Sequence, residues 1–482
     1  MFLFCGQYAL TSTDQKTFFS GLPSYLSGCV PFPWLASFFP IWENLFWIAF
    51  PVPVGMEKVE LLAPCRNWQS LKAAEKYADA VYFGTHVLNL RQQADNFDIQ
   101  ELQEVTNYCH DRDLEVYLTV NAIIYDNEIQ VLRETLEAAS DAGIDAAILH
   151  DLAAIQVARE IGIPFHISTQ ANVSNTLSAQ FYQDLGATRV ILARELSLEM
   201  IKAVAGGLST TGVEIFVHGA MCTSISGRCY LSLDCMDSDT FSGNRGRCVQ
   251  PCRRRWRVID EENNEFLYNG KMFLNTKDLC MIEYIPELFM TGARSFKIEG
   301  RMRDPHYVEV VTRCYREAMD SYQEGTYTKD KIANWLDQLS KVFNRGFTTG
   351  FFFQRPTEKD VEHDIRGNVS KFRMIEVGYV NDFFSKKKVV KIILTNGSLK
   401  LGNEIFFKGR GSTTYFHQEI TSMRIHGKDV TETPVATSKN HVLVSIKVKE
   451  RVKENDRVFI FTNETYENFK AGKDRTKRYN LY

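Results

Sequence analysis

The stretch Gly143-Ile144-Asp145-Ala146-Ala147-Ile148-Leu149-His150 follows an amphipathic run, Glu128–Ala142, and its reading decides the fold. A glycine closes the helix and a short apolar run continues as a strand. The phrase returns as Gly186-Ala187-Thr188-Arg189 and as Gly292-Ala293-Arg294-Ser295. Working outward, apolar and β-branched runs occupy Val59–Ala63, Ala80–Gly84, Glu115–Asn121 and Asp145–His150. They continue at Phe165–Thr169, Arg189–Ala193, Val213–His218 and Arg294–Glu299. Helical stretches such as Asn67–Tyr77, Ile99–Arg112 and Ser197–Gly206 lie between them. Eight strands, each followed by a helix, is the count of a (β/α)8 barrel. A doubly wound open sheet more often stops at five or six strands. The α/β class is therefore read as a TIM-like barrel over residues 56–325, with an insert at 219–270 after the seventh strand.

Residues 326–371 read as a helical linker, with one amphipathic helix at Lys329–Phe343 and a turn-rich loop over 344–351. Residues 372–462 alternate with period two, as in Lys388–Leu394 and Val442–Lys447, with turns at Asn396-Gly397 and Lys408-Gly409. That pattern predicts a small all-β barrel. The last stretch, 463–482, is a basic tail with Lys470, Lys473, Arg475, Lys477 and Arg478, either a solvated terminus or an RNA-touching arm. Residues 1–55 differ from the rest: Asp14, Lys16 and Glu43 are their only charges among many Phe, Trp and Pro. Met1–Thr11 lacks the basic start of an export signal. Pro31, Pro33 and Pro40 interrupt Val30–Phe50, which falls short of the ~20 continuous apolar residues of a membrane helix. Met56-Glu57-Lys58-Val59-Glu60 opens an ordinary strand, so 1–55 is read as an atypical leader, a mis-called start or disordered segment.

A chain of 482 residues with net charge −3 and 44% apolar residues is expected to be a globular protein of two or three domains. Any nucleic-acid signal must then be local. Of eleven cysteines, five crowd into residues 222–252. A disulfide framework suits short exported chains, so a reduced, cytoplasmic protein with a thiolate metal site and no membrane association is the expectation. The spacing is Cys222-x6-Cys229-x18-Cys248-x31-Cys280, with Cys252 as an alternative ligand. It matches neither a zinc ribbon nor a tight iron–sulfur run. Four thiolates hold either Zn²⁺ or a [4Fe–4S] cluster, and spacing alone does not decide. Cys109, Cys314 and Cys235 read as plain buried cysteines. Cys65 ends the first strand and would face the barrel mouth, with nothing nearby in sequence to activate it.

Barrel chemistry sits at the carboxyl ends of the strands. Those ends carry Arg91, Asn121, His150, Gln170, Arg194, Glu195, His218, Glu299 and Arg301. Arg91, Arg194 and Arg301 suit bidentate capture of carboxylates or phosphates, with Asn121 and Gln170 as further substrate contacts. Glu195 and Glu299 are candidate acids or bases, and His150 and His218 candidate proton carriers. Each alone reads better as a salt bridge on the rim; together at strand ends they favour a site. There is no His-Glu-x-x-His and no Gly-x-Ser-x-Gly. In the insert, Arg253, Arg254, Arg255, Trp256 and Arg257 suit a phosphate backbone and a stacked base. The alternative is an insert packed by its own salt bridges to Asp260, Glu261 and Glu262.

The block Glu214-Ile215-Phe216-Val217-His218-Gly219-Ala220-Met221-Cys222, continued by Ser226-Gly227-Arg228-Cys229-Tyr230-Leu231-Ser232, resembles the signature of peptidase family U32, the collagenase-like proteases. Ala80-Val81-Tyr82-Phe83-Gly84, Ser168-Thr169-Gln170 and Phe296-Lys297-Ile298-Glu299-Gly300-Arg301-Met302 extend the likeness, which runs from about Glu57 to Ile460. Within the family, the branch with a C-terminal β module resembles the tRNA hydroxylation proteins. The resemblance implies a [4Fe–4S] cluster on four cysteines. Cys222 and Cys229 match the signature, Cys248 and Cys280 match later ligand positions, and Cys252 is the alternative. It further implies O₂-independent conversion of the tRNA wobble uridine to 5-hydroxyuridine, with prephenate as hydroxyl source. A dicarboxylate of that kind suits an arginine-bearing mouth, where a cluster would bind or polarise substrate. The family name implies a peptidase instead, and a non-catalytic cluster protein that binds RNA or a partner is a third reading.

Overall fold

The computed structural model describes residues 58–266, 272–370, 372–409 and 413–462; the leader and the basic tail lie outside these residues. Seven parallel strands come first: β1 (Glu60–Pro64), β2 (Ala80–Phe83), β3 (Glu115–Val120), β4 (Ala146–Leu149), β5 (Phe165–Ile167), β6 (Arg189–Ile191) and β7 (Gly212–Ala220). Helices α1 (Trp68–Ala74), α2 (Leu102–His110), α3 (Ile129–Asp141), α4 (Leu152–Ile161), α5 (Thr176–Asp184) and α6 (Leu198–Gly206) connect them. The insert carries α7 (Leu231–Met236) and a small hairpin, β8 (Val258–Ile259) and β9 (Glu265–Phe266). After β10 (Asp278–Cys280) and α8 (Ile285–Phe289), β11 (Ser295–Ile298) pairs in parallel with both β7 and β1. That double pairing closes an eight-stranded barrel and excludes the open doubly wound sheet. Gly143, Gly186 and Gly292 have φ of 73°, 93° and 76°. Only a residue without Cβ reverses a helix into the next strand there without strain.

One element differs from expectation. Between β7 and β11, where the alternation calls for a helix alone, Cys280 lies in β10, which runs antiparallel to the overhanging end of β7 and sets Cys280 opposite His218. The overhang offers unpaired backbone groups that a buried segment must satisfy, and three residues are too few to show a period. The turn-rich loop likewise contributes β12 (Phe347–Thr348), parallel to β10. Cys109 and Cys314 are buried as expected, whereas Cys235 is exposed.

The barrel interior is not wholly apolar. Arg189 bridges Glu60 (2.6 Å) and Glu214 (3.3 Å), and Lys297 Nζ lies 2.8 Å from Glu214. Ser295 and Tyr117 also donate to Glu60. Two cations and two anions make this layer a neutral floor, which a dry interior requires of buried charge.

Helices α9 (Pro305–Gln323) and α10 (Lys329–Lys341) lead to an antiparallel module. Its strands are β13 (Arg373–Phe384), β14 (Val389–Leu394), β15 (Glu404–Lys408), β16 (Tyr415–Glu419), β17 (Met423–Ile425), β18 (Lys428–Val430), β19 (Val442–Lys447) and β20 (Arg457–Thr462). The sheet order is β16-β15-β20-β13-β14-β19-β17-β18. It curls, because Gln418 of β16 bonds the backbone of Lys447 and Lys449 at the end of β19. The module docks on the barrel through α9: Tyr415 and His417 both reach the Glu309 carboxylate, at 2.7 and 2.9 Å.

Candidate active site at the barrel mouth

A cavity opens at the carboxyl ends of the strands. Arg91, Asn121, Gln170, Arg194, Glu299 and Arg301, six of the residues singled out from the sequence, line it together with Tyr82, Thr119, Phe216 and Lys297. Glu299 follows β11 directly. Arg91 Nη2 stands 3.3 Å from one of its oxygens and Arg194 Nη2 3.9 Å from the other. Arg301 is 3% exposed and donates to Thr119 Oγ1 (2.6 Å), Asn89 Oδ1 (2.9 Å) and Asn96 Oδ1 (2.7 Å). Arg194 donates to the Ala220 carbonyl (3.0 Å) and lies 4.3 Å from the centre of the Phe216 ring. The Nε atoms of Arg194 and Arg301 are buried without a partner.

Burial pushes the Glu299 carboxyl up, but the guanidinium groups of Arg91, Arg194 and Arg301 outweigh it and hold the group below its ordinary value. Burial draws Arg301 down to about 10, still charged at neutral pH. Three cations therefore face one anion above a neutral floor, leaving two positive charges uncompensated in a desolvated pocket. On the opposite wall Asn121 Nδ2 donates to Ser168 Oγ (3.2 Å) and Gln170 Oε1 (3.1 Å), and its Oδ1 accepts from the Leu90 amide. The insert folds over this wall. Gly246, at φ 84°, packs against the Asn89 carbonyl, where any side chain would collide.

The remaining candidates fall outside the cavity. Glu195 is exposed on the rim. His150 is half-buried beside the mouth; burial lowers its pKa, Asp151 raises it and Arg228 lowers it, and its Nδ1 has no partner. His218 is buried against Tyr307, Tyr315 and Phe347, where desolvation brings it down to about 4, so it is neutral and apart from the cavity. Tyr82, Thr119 and Lys297 were not singled out in the sequence. The signal for Lys297 was present, as a lone charge inside the apolar run Phe296–Ile298.

Burial raises the thiol pKa values of Cys248 and Cys252, and both feel Cys222 and Cys229, so these four cysteines share one electrostatic neighbourhood. The Gln250 amide donates to Cys248 Sγ at 3.3 Å. Cys280 is not brought to this group: its thiol is buried beside the Tyr315 hydroxyl, at 4.0 Å. Among the described residues no three His, Cys, Asp or Glu side chains are drawn into a ready coordination shell. In donor chemistry Cys222, Cys229, Cys248 and Cys252 fit a four-thiolate centre, with Cys252 in the place expected of Cys280.

The insert arginines divide. Arg253 is buried and donates to Asn275 Oδ1, Thr276 Oγ1, the Thr276 carbonyl and the Met221 carbonyl, so it ties the insert to its own start at Met221 and to the segment that follows it. Arg254, Arg255 and Arg257 are exposed, Arg255 reaching the Asp364 carbonyl (3.2 Å). Trp256 is half-buried and donates to the Pro251 carbonyl.

Among the described residues no helix is long and apolar enough to cross a membrane. Comparison with known proteins finds an uncharacterized protease of Methanocaldococcus jannaschii, 42% identical over 416 residues, covering 84% of this chain and 98% of the relative. A protein named collagenase from Porphyromonas gingivalis is 38% identical, covering 85% and 99% of the two chains. The tRNA hydroxylation protein P1 of Bacillus subtilis is 34% identical, covering 75% and 86%. The model of peptidase family U32 matches residues 66–362, and with these relatives and the closed barrel it establishes that the chain belongs to peptidase family U32.

Proposed function

We propose that this chain is an iron–sulfur-dependent enzyme that hydroxylates RNA without O₂, forming 5-hydroxyuridine at the tRNA wobble position with prephenate as hydroxyl source. The charge of the cavity carries this reading. Arg91, Arg194 and Arg301 oppose a single carboxylate over a neutral floor, and a ligand with two carboxylates is the chemical complement. The name of the Bacillus subtilis relative supports the RNA side.

In this reading Arg91 and Arg194 receive the carboxylates of the co-substrate. Arg301, already tied to Thr119, Asn89 and Asn96, fixes the positive field in place. Glu299 is ionised and so accepts a proton rather than donating one. Asn121 and Gln170 offer amide groups to a nucleobase edge. Cys222, Cys229, Cys248 and Cys252 would hold the [4Fe–4S] cluster, which when bound supplies an iron able to bind or polarise a substrate group; Zn²⁺ is the alternative occupant.

A second reading, a collagenase-like peptidase, draws on the name of the Porphyromonas relative. It needs a nucleophile and base in contact, whereas Ser168 donates to Gln170 and the cavity lining contains no histidine. The deciding experiment incubates anaerobically purified protein with unmodified tRNA, with and without prephenate, and analyses the nucleosides by mass spectrometry. Prephenate-dependent 5-hydroxyuridine supports the proposal. Cleavage of a collagen peptide without prephenate or RNA, and no modified nucleoside, replaces it with the peptidase reading.

A further inference from the structure

The β module presents one end to the same side as the barrel mouth. Three connections emerge there: β13 to β14, β15 to β16 and β19 to β20. The end of β15 is docked. The Gly409 carbonyl accepts from Gln69 of α1 at 3.0 Å, and Lys408 lies within electrostatic reach of Asp304, Arg66 and Asp95. Those three residues follow barrel strands β11, β1 and β2, so this end of the module adjoins the rim of the candidate active site.

The other two connections are free and basic. The β13–β14 turn is Phe384-Ser385-Lys386-Lys387-Lys388, all five residues exposed. The β19–β20 connection adds exposed Lys447, Lys449, Arg451 and Lys453. Register brings the two together: Val389 pairs with Lys447, and the Val448 amide donates to the Lys388 carbonyl. Among the described residues none of these seven cationic side chains has a carboxylate partner. Asp382, Glu450 and Glu454 are the exposed acids of the same segments, so the tip carries about four excess positive charges on a chain whose net charge is −3.

We infer that this basic tip is a second RNA contact, gripping the phosphate backbone of a structured RNA whose target nucleotide enters the barrel mouth. The inference rests on the RNA reading of the site. Phosphate, not base, is the fitting chemistry, because the tip offers flexible ammonium groups and few groups placed to read a base edge. From the level of Lys408, paired with Arg457 opposite Tyr379, to Phe384 the strand advances five residues, roughly 17 Å at ~3.3 Å per residue, so the tip projects well past the docked end of β15.

The test measures fluorescence anisotropy of a labelled tRNA transcript on the full chain, over a series of salt concentrations. The quadruple variant Lys387→Gln, Lys388→Gln, Lys449→Gln, Arg451→Gln is compared with the wild type, its fold checked by circular dichroism. Each lost phosphate contact lowers the slope of log affinity against log salt by about one, so a drop of about three to four is expected. Equal slopes for wild type and variant on full tRNA overturn the tip contact while leaving the RNA reading intact. Absence of tRNA binding by the wild type defeats both. Tighter binding of the tip to phosphatidylglycerol vesicles than to tRNA would assign it to a membrane surface and overturn the proposal.

Discussion

His417 is the most informative single perturbation. Its Nδ1 lies 2.6 Å from Glu404 and its Nε2 2.9 Å from Glu309, so one imidazolium joins two strands of the module to α9 of the barrel. Burial disfavours the charged ring, but hydrogen bonds to Glu309 and Glu404 outweigh it and raise the pKa to about 9. The unfolded value is near 6.5, so the folded state binds the extra proton. Stability from this contact is complete below about pH 6.5 and is lost as pH rises through about 9. At ~1.4 kcal/mol per pKa unit the gap is worth at most ~3.5 kcal/mol; the ring is 29% exposed, and screening reduces the figure somewhat. Urea denaturation of the wild type and of His417→Gln at a series of pH values isolates the contribution, since other titrating groups cancel in the difference. The variant should be the less stable near pH 6, and the gap should narrow toward pH 9. Parallel profiles would refute the argument. Limited proteolysis within 342–372 should report the same loss locally, as the module separates from α9.

Glu299→Gln leaves three guanidinium groups without a counter-charge, so a dicarboxylate probe should bind as well or better by calorimetry while 5-hydroxyuridine formation is lost; weakened binding would contradict the charge assignment. Because arginines hold Glu299 below the ordinary carboxylate range, its ionisation should produce no break in probe binding between about pH 5 and 8. Cys252→Ala should abolish iron incorporation under anaerobic conditions, whereas Cys280→Ala should keep the iron and lose only packing energy, on the order of 1 kcal/mol; the reverse outcome restores Cys280 as the ligand. Arg253→Ala strands buried acceptors at Met221, Asn275 and Thr276, so the insert should become protease-sensitive, with a stability loss of about 2–4 kcal/mol.

Local sequence was enough for the barrel. The strand–helix alternation and the three glycine phrases report backbone events that neighbouring residues cause, and the strands appear within a few residues of their expected places. The arginines and Glu299 were legible because the segments after barrel strands gather around the mouth, but the same rule also pointed to His150 and Glu195, which the fold leaves outside the cavity. Tertiary structure decided what depends on long-range pairing. The overhang of β7 captured Asp278–Cys280 as a strand and turned the Cys280 thiol toward Tyr315, leaving Cys252 with the other three cysteines. His218 sits on a signature strand, yet its aromatic surroundings come from α9 and β12, so its neutral, buried state had no trace nearby in sequence. Arg253 looked like part of an RNA-facing cluster because adjacent arginines share a run. Only the packed insert reveals that its neighbours point to solvent while it ties the chain together. Charge type and strand period are carried by the chain itself, whereas which charge meets which is fixed by the closing of the barrel.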